Sequence, residues 1–269
     1  MAATMSATAG APSVGGLLRD WRQRRRLSQL DLANEATVSA RHLSFVETGR
    51  SKPSRELVLH LAEHLEVPLR ERNSLLLAAG YAPSYQQTPL EADEMAPVRE
   101  ALDTILAGHQ PFPAVVVDRH WDLVTANRSA LALLTEGVAD DLLAPPANAL
   151  RVSLHPDGLA PRIVNFAQWA AHLVDRLRRE AELYGDPQLV ELHDELCGYP
   201  GVAGSPWPAD TVSRLFVPLV LGSDAGEWSF FSTVATFGTA RDITVEELAI
   251  ESFFPADDAT ATALRARWS

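Results

Sequence analysis

Ala40, Arg41, Ser44 and Phe45 are spaced so that a helix would present all four on one face. Their types suit the edges of base pairs. A guanidinium donates two hydrogen bonds to guanine O6 and N7, and an alanine or phenylalanine packs on a thymine methyl. Gln29, Ser39, Arg50 and Lys52 flank them. These groups hold phosphate oxygens and set the register of docking without reading sequence. Lys52 is the only lysine in the chain. Together the two sets describe contact with a DNA duplex.

Such a face needs a helix held out from a rigid support, and the flanking residues supply one. A first helix is predicted from Val14 to Arg25, with Leu17, Leu18 and Trp21 on one side. Ser28 followed by Asp31 is a capping-box pattern and starts a second helix, with Leu32 and Ala33 turned inward. Ser39 caps a third, which carries Leu43 and Val46 at i, i+3 spacing and stops at Gly49. Ser54 caps a fourth, on which Leu57, Leu61 and Leu65 repeat. Pro68 ends that segment, and a fifth helix covers Leu69 to Ala79. Two short helices, a tight connection and a small basic loop make a helix-turn-helix, whose second helix enters the major groove. The expected organisation is a disordered tail over 1–13, this five-helix domain over 14–80, and a polar, proline-bearing linker over 81–94.

Charge supports that division. The chain carries a net charge of −12, but residues 1–80 hold 11 basic and 8 acidic side chains, against 12 and 27 in the remainder. Within 14–55 the count is 9 basic to 4 acidic. Salt screens charges beyond about 10 Å, so the local excess decides attraction to phosphate. The start of the chain lacks the basic and apolar regions of a signal peptide, and no apolar run is long enough to span a bilayer. A single cysteine, Cys197, leaves no intramolecular disulfide. A cytoplasmic location is the expectation, with no membrane partner.

Residues 95–269 read differently. A helix is expected over 97–106, then a hairpin in PAVVVDRHWDLVTAN, a helix capped by Asn127, and two longer helices at 165–184 and 186–197. LFVPLVL, EWSFFSTVATFG and ELAIESFFP are strand candidates, and a last helix covers 257–267. The fold class is therefore mainly α, with an α+β second domain whose antiparallel sheet carries flanking helices. A sheet covered by helices can enclose an apolar pocket. Trp121, Phe166, Trp169, Leu173, Phe216 and Phe230 are candidates to line it, and Arg151, His155, Arg162 and His172 to meet an anionic head group.

Two resemblances carry these readings further. The pattern R…LSQ..LA…..VS…L..VE.GRSKPS, within 14–80, resembles the phage-repressor and Cro-type helix-turn-helix of the xenobiotic-response-element (XRE) family. That resemblance implies a structural pair between Arg22 and Glu47, with Arg22 presented near the DNA backbone. The segments PAVVVDRHWDLVTANRSALALL, NALRVSLHPDGLAPRIVNFAQWAAHLVDRLR and WSFFSTVATFGTARDITVEELAIESFFP resemble the MmyB-like ligand-binding domain of bacterial transcription regulators. This second likeness implies a PAS-like fold and a fatty-acid-like effector, with no other cofactor. The expected partners are a double-stranded DNA operator, a small-molecule effector and a second copy of the chain.

Other constellations carry less. His60-Leu-Ala-Glu63-His64 has the spacing of a zinc-protease motif, but the leucine stripe turns both histidines toward solvent and no third ligand follows. Asp118-Arg119-His120 reads as an exposed hairpin turn. Asp194 and Glu195 near Cys197 oppose a reactive thiolate. Two alternatives stand beside the regulator: an interaction protein whose C-terminal domain docks a protein partner, and an autoregulated enzyme with a catalytic C-terminal domain.

Overall fold

The computed structural model describes residues 12–204, 216–224 and 226–268. Apart from Pro12 and Ser13, the expected tail lies outside them. The described residues form two compact units, one reaching to Thr88 and including Ala240–Glu246, the other made from Pro89–Thr239 and from Glu247 onward.

The first unit opens with α1 (Val14–Arg24), α2 (Gln29–Glu35), α3 (Ala40–Glu47), α4 (Arg55–His64) and α5 (Leu69–Ala78). Serines begin four of the five. Ser13, Ser28, Ser39 and Ser54 accept from Gly16 N, Asp31 N, His42 N and Leu57 N, and Asp31 returns the bond to Ser28 N at 2.9 Å. Each cap satisfies an amide that the helix itself cannot. Gly49, at φ +73°, ends α3 in a conformation that L side chains resist. Leu18, Leu32, Leu43, Leu61, Leu65 and Leu75 fill the core. On α4 the buried face is Val58, Leu61, Ala62 and Leu65, and Leu57 is only partly covered. Leucines every four residues drift by about 40° per repeat, so the stripe alone does not locate the centre of the buried face. Gly15 lets α1 lie close against α3, because a Cβ there would sit 2.3 Å from Val46 O.

In the second unit, α6 (Ala96–Gly108) precedes the hairpin β1 (Ala114–Val117) and β2 (Leu123–Ala126), then α7 (Arg128–Thr135), α8 (Asp140–Leu143) and α9 (Ala149–Leu154). The long helices α10 (Phe166–Tyr184) and α11 (Pro187–Cys197) follow. The chain continues through β3 (Leu219–Ser223), β4 (Gly226–Thr236), α12 (Ile243–Glu246), β5 (Ala249–Pro255) and α13 (Asp258–Trp268). The strands form one antiparallel sheet in the order β2-β1-β5-β4-β3. Both faces are covered along β1, which is why Ala-Val-Val-Val is apolar throughout. Ala114 and Val116 join Leu102 and Leu106 of α6 in a small core. Val115 and Val117 point into the main core with Leu173, Leu177, Leu192 and Phe230. Of the strand expected over LFVPLVL, Leu215 lies outside the described residues, and among the rest the strand begins only at Leu219, since Pro218 has no N–H to give the ladder.

The connection from β4 to β5 belongs to the first unit. The Glu246 carboxylate accepts Leu69 N at 2.8 Å, at the start of α5, where the N-cap residue Pro68 offers no side-chain acceptor. Asp242 accepts Thr88 N at 3.1 Å and the Thr88 hydroxyl at 2.7 Å, and Ile243 N donates to Gln86 O. This segment lies within the range read as the second domain, 95–269, yet its hydrogen bonds go to the first unit. The first part of the expected linker is also fastened there. Asn73 Oδ1 accepts Ser84 N and Tyr85 N, its amide donates to Tyr85 O, and Tyr81 OH donates to Pro53 O.

Candidate functional site

α3 presents Arg41 exposed and Ser44 and Phe45 half-exposed. Arg41 and Arg50 lie over the Phe45 ring, at 5.4 and 6.0 Å from its centroid. The ring is thus a platform that holds two guanidinium groups at the surface. Ala40 is partly buried against the core, and Ser39 serves as the N-cap of α3. Lys52 is exposed, with Nζ 5.3 Å from the centre of the Tyr81 ring. The sequence reading placed Tyr81 only as the first residue of the linker, because it lies beyond α5.

Glu47 closes the back of this helix. Its side chain is buried, and Arg22 donates to it from Nε at 2.7 Å and from Nη2 at 3.0 Å. Gln29 Nε2 donates to the same carboxylate at 2.8 Å, and Arg19 donates to it and to Glu47 O. Burial alone would push the Glu47 carboxyl up. The hydrogen bonds from Arg22 and Gln29 and the Arg22 charge outweigh it and hold the group below the usual carboxylate range. Arg22 is buried, its third nitrogen donating to Leu27 O, so it braces α1 against α3, as the expected pair with Glu47 requires. The Gln29 amide, expected on a phosphate, is turned inward to Glu47. Arg19 completes the set, and its position one turn before Arg22 was the available signal.

In the second unit, a cavity of about 700 Å³, part of it open to solvent, lies between the sheet and the helices above it. Val115, Leu219, Leu221, Phe230, Glu251 and Phe253 form the sheet side. Leu133 of α7, Leu150 and Ser153 of α9, and Trp169 and Leu173 of α10 face them, with Trp121. Trp121 stands at the end of the β1–β2 turn with φ +68°, an uncommon conformation for a bulky residue. Two interactions hold it there: Trp121 Nε1 donates to Glu180 at 2.9 Å, and Ala149 N donates to Trp121 O at 2.8 Å.

Four of the residues expected at a pocket therefore line this cavity: Trp121, Trp169, Leu173 and Phe230. The others are placed elsewhere. Phe166 begins α10 and packs beside Gly201. Phe216 is exposed, edge-on to Phe231. The expected anion-binding groups have other partners. Arg162 donates to Leu133 O and Glu136 O at the end of α7, and Arg151 holds Glu195 through two hydrogen bonds. His155 lies against Tyr199, while His172 faces Arg176 and Arg179, and burial pushes it toward the neutral form. Sequence reasoning missed Glu251. A carboxylate alternating with apolar residues on a strand, as in Ala249-x-Glu251-x-Phe253, was the signal.

Residues 98–266 match the MmyB-like transcription regulator ligand binding domain, and residues 13–75 match a helix-turn-helix domain. The chain belongs to the MmyB-like transcription regulator family. No curated protein matches it. In this MmyB-like regulator the helix-turn-helix is the DNA-binding part and the sheet-and-helix unit is the ligand-binding part.

The remaining constellations of the MmyB-like chain have structural uses. His60 Nε2 lies 2.7 Å from Ala36 O, and His60 and His64 meet edge to face. Among the described residues, no group of three or more His, Cys, Asp or Glu could hold a metal ion. The Asp118–His120 turn is present but not solvated, because Arg119 pairs with Asp186 at 2.7 Å and Glu247 at 2.9 Å. The Cys197 thiol lies 3.7 Å from His193 Nε2, and burial, then Asp194, pushes it up and away from thiolate. No helix of the described residues is long and apolar enough to cross a membrane.

Proposed function

We propose that this MmyB-like regulator is a cytoplasmic homodimer that reads an inverted-repeat operator with two copies of α3 and changes its grip when an apolar or amphipathic effector fills the cavity. The two helices would enter successive major grooves about 34 Å apart. Arg41, Ser44 and Phe45 face base edges, and Arg50 and Lys52 hold phosphates. The effector acts by binding two arrangements of the heads with different affinity. A fatty-acid-like chain suits the apolar lining of the cavity.

The observation that carries this reading is the cavity itself, in a chain that also carries an exposed face on α3. A protein-docking domain needs no such space in its core. An enzyme needs convergent reactive groups, whereas the wall offers one carboxylate and one hydroxyl among apolar side chains, and the Cys197 thiol is disfavoured as a nucleophile. Sedimentation of the full chain with a duplex selected from random sequence tests the assembly. Two protomers per duplex are expected; one protomer saturating the site contradicts the proposal.

A further inference from the structure

The sensing reading leaves the head group of the effector open, and the cavity wall is informative about it. Glu251 is the one ionisable side chain in that wall among the described residues, and it is 5% exposed. Ser153 is the other residue of the wall with a polar aliphatic side chain, and its oxygen already accepts Trp169 Nε1 at 2.9 Å. The second indole of the wall, Trp121, donates to Glu180. Both indole N–H groups are therefore spent on the protein.

The nearest cation is Arg176, which stands outside the wall. Its Nη1 lies 3.6 Å from Glu251 Oε2, its Nε donates to Glu180 at 3.1 Å, and its guanidinium covers the Trp121 ring at 4.2 Å from the centroid. One guanidinium thus serves two carboxylates, with its flat face closed by an indole. Nearby on α10, His172 is pushed toward neutrality, first by burial and then by Arg176 and Arg179, while Arg179 is itself paired with Asp175. No positive group of the described residues is left to meet an anion inside the cavity.

We infer that the cavity takes a molecule with an apolar body and a hydrogen-bond-donating head, an amine or a hydroxyl, seated on the Glu251 carboxylate, and discriminates against a carboxylate head. The inference rests on the cavity being a ligand site. Burial pushes the Glu251 carboxyl up, toward its neutral form, against the Arg176 charge and a hydrogen bond from Ser232. An amine head brings the opposite charge that favours the ionised form, and a hydroxyl head can hydrogen-bond to either form. An anionic head gains at most one hydrogen bond from the protonated carboxyl and no cation, and a buried charge left without a counter-charge is strongly disfavoured. Register puts Glu251 where such a head can reach it, since it pairs with Val115 on β1 and stands on the same face as Phe253.

The test uses the full chain and three probes that share one body: decylamine, decanol and decanoate. Binding is read at neutral pH by tryptophan fluorescence, with Trp121 and Trp169 in the wall as reporters, and by calorimetry. Decylamine and decanol should bind about tenfold or more tighter than decanoate. Glu251→Gln should narrow that spread, weakening the amine and strengthening the carboxylate. Decanoate binding as tightly as decylamine to the unmodified protein overturns the inference and leaves the sensing reading standing. Failure of all three probes overturns both. The ranking on the unmodified protein decides the matter even if the Glu251→Gln chain does not fold.

Discussion

Glu47 shows how much one residue can organise. Its carboxylate gathers Arg19, Arg22 and Gln29 and so fastens the last turn of α3 to α1 and α2. Removing one member of a buried pair leaves the other charge poorly compensated, which costs about 3–5 kcal/mol. Arg22→Ala should approach the lower end of that range, because Gln29 and Arg19 remain, and a thermal melt of the full chain will show it. The pH dependence follows from the lowered Glu47 value. An acid depressed in the folded state contributes stability that is present above the unfolded value of about 4.3 and is lost as pH falls through the folded value. Acid unfolding of the first unit should therefore set in below about pH 4, and Arg22→Ala should move its onset upward. On the outer face of α3, Arg41→Ala should cost about 1–3 kcal/mol and relax preference at one base pair. Lys52→Ala should weaken all duplexes alike and flatten the salt dependence. Selection from random duplexes separates the two, and unchanged discrimination in Arg41→Ala would remove that side chain from the reading face.

At the scale of elements, the β4–β5 connection is where a coupling between cavity and helices can be tested. It runs from strands that line the cavity to hydrogen bonds on α5 and on the segment ending at Thr88. Asp242→Ala removes two of those bonds. It should leave effector affinity unchanged while reducing the difference in duplex affinity between effector-loaded and effector-free protein. Paired titrations measure this, and an undiminished difference would show that the connection does not carry the signal. This element also marks the limit of what the sequence makes legible. Helices that begin at Ser28, Ser39, Ser54 and Asn127 are readable because a cap and its amide are two or three residues apart. The strands are readable from apolar runs between turns. Glu246 capping α5 from 177 positions away leaves no local trace, because each residue alone is an ordinary polar group at an element's edge. The single-turn helices α8 and α12 are too short for a period to appear.

At the scale of the whole chain, an acidic protein binds DNA through one basic unit. The 27 acidic residues after position 80 set the net charge without occupying the recognition helix. The candidate sites were legible to different depths for a related reason. The proposed recognition residues are local in sequence, so Arg41, Ser44, Phe45, Arg50 and Lys52 could be assigned by register. A cavity is assembled from β1, β3, β4, β5, α7, α9 and α10, so composition announced aromatics without saying which face they take. That is why Trp121, Trp169, Leu173 and Phe230 line the cavity while Phe216 does not, and why basic residues near it in sequence pair with carboxylates and carbonyls instead. The central claim is that occupancy of the cavity alters DNA affinity. It is tested most directly by fluorescence anisotropy of a selected duplex titrated with the full chain, with and without saturating decylamine. The account predicts that the midpoint shifts by about fivefold or more. Superimposable curves with the amine shown to be bound would contradict it.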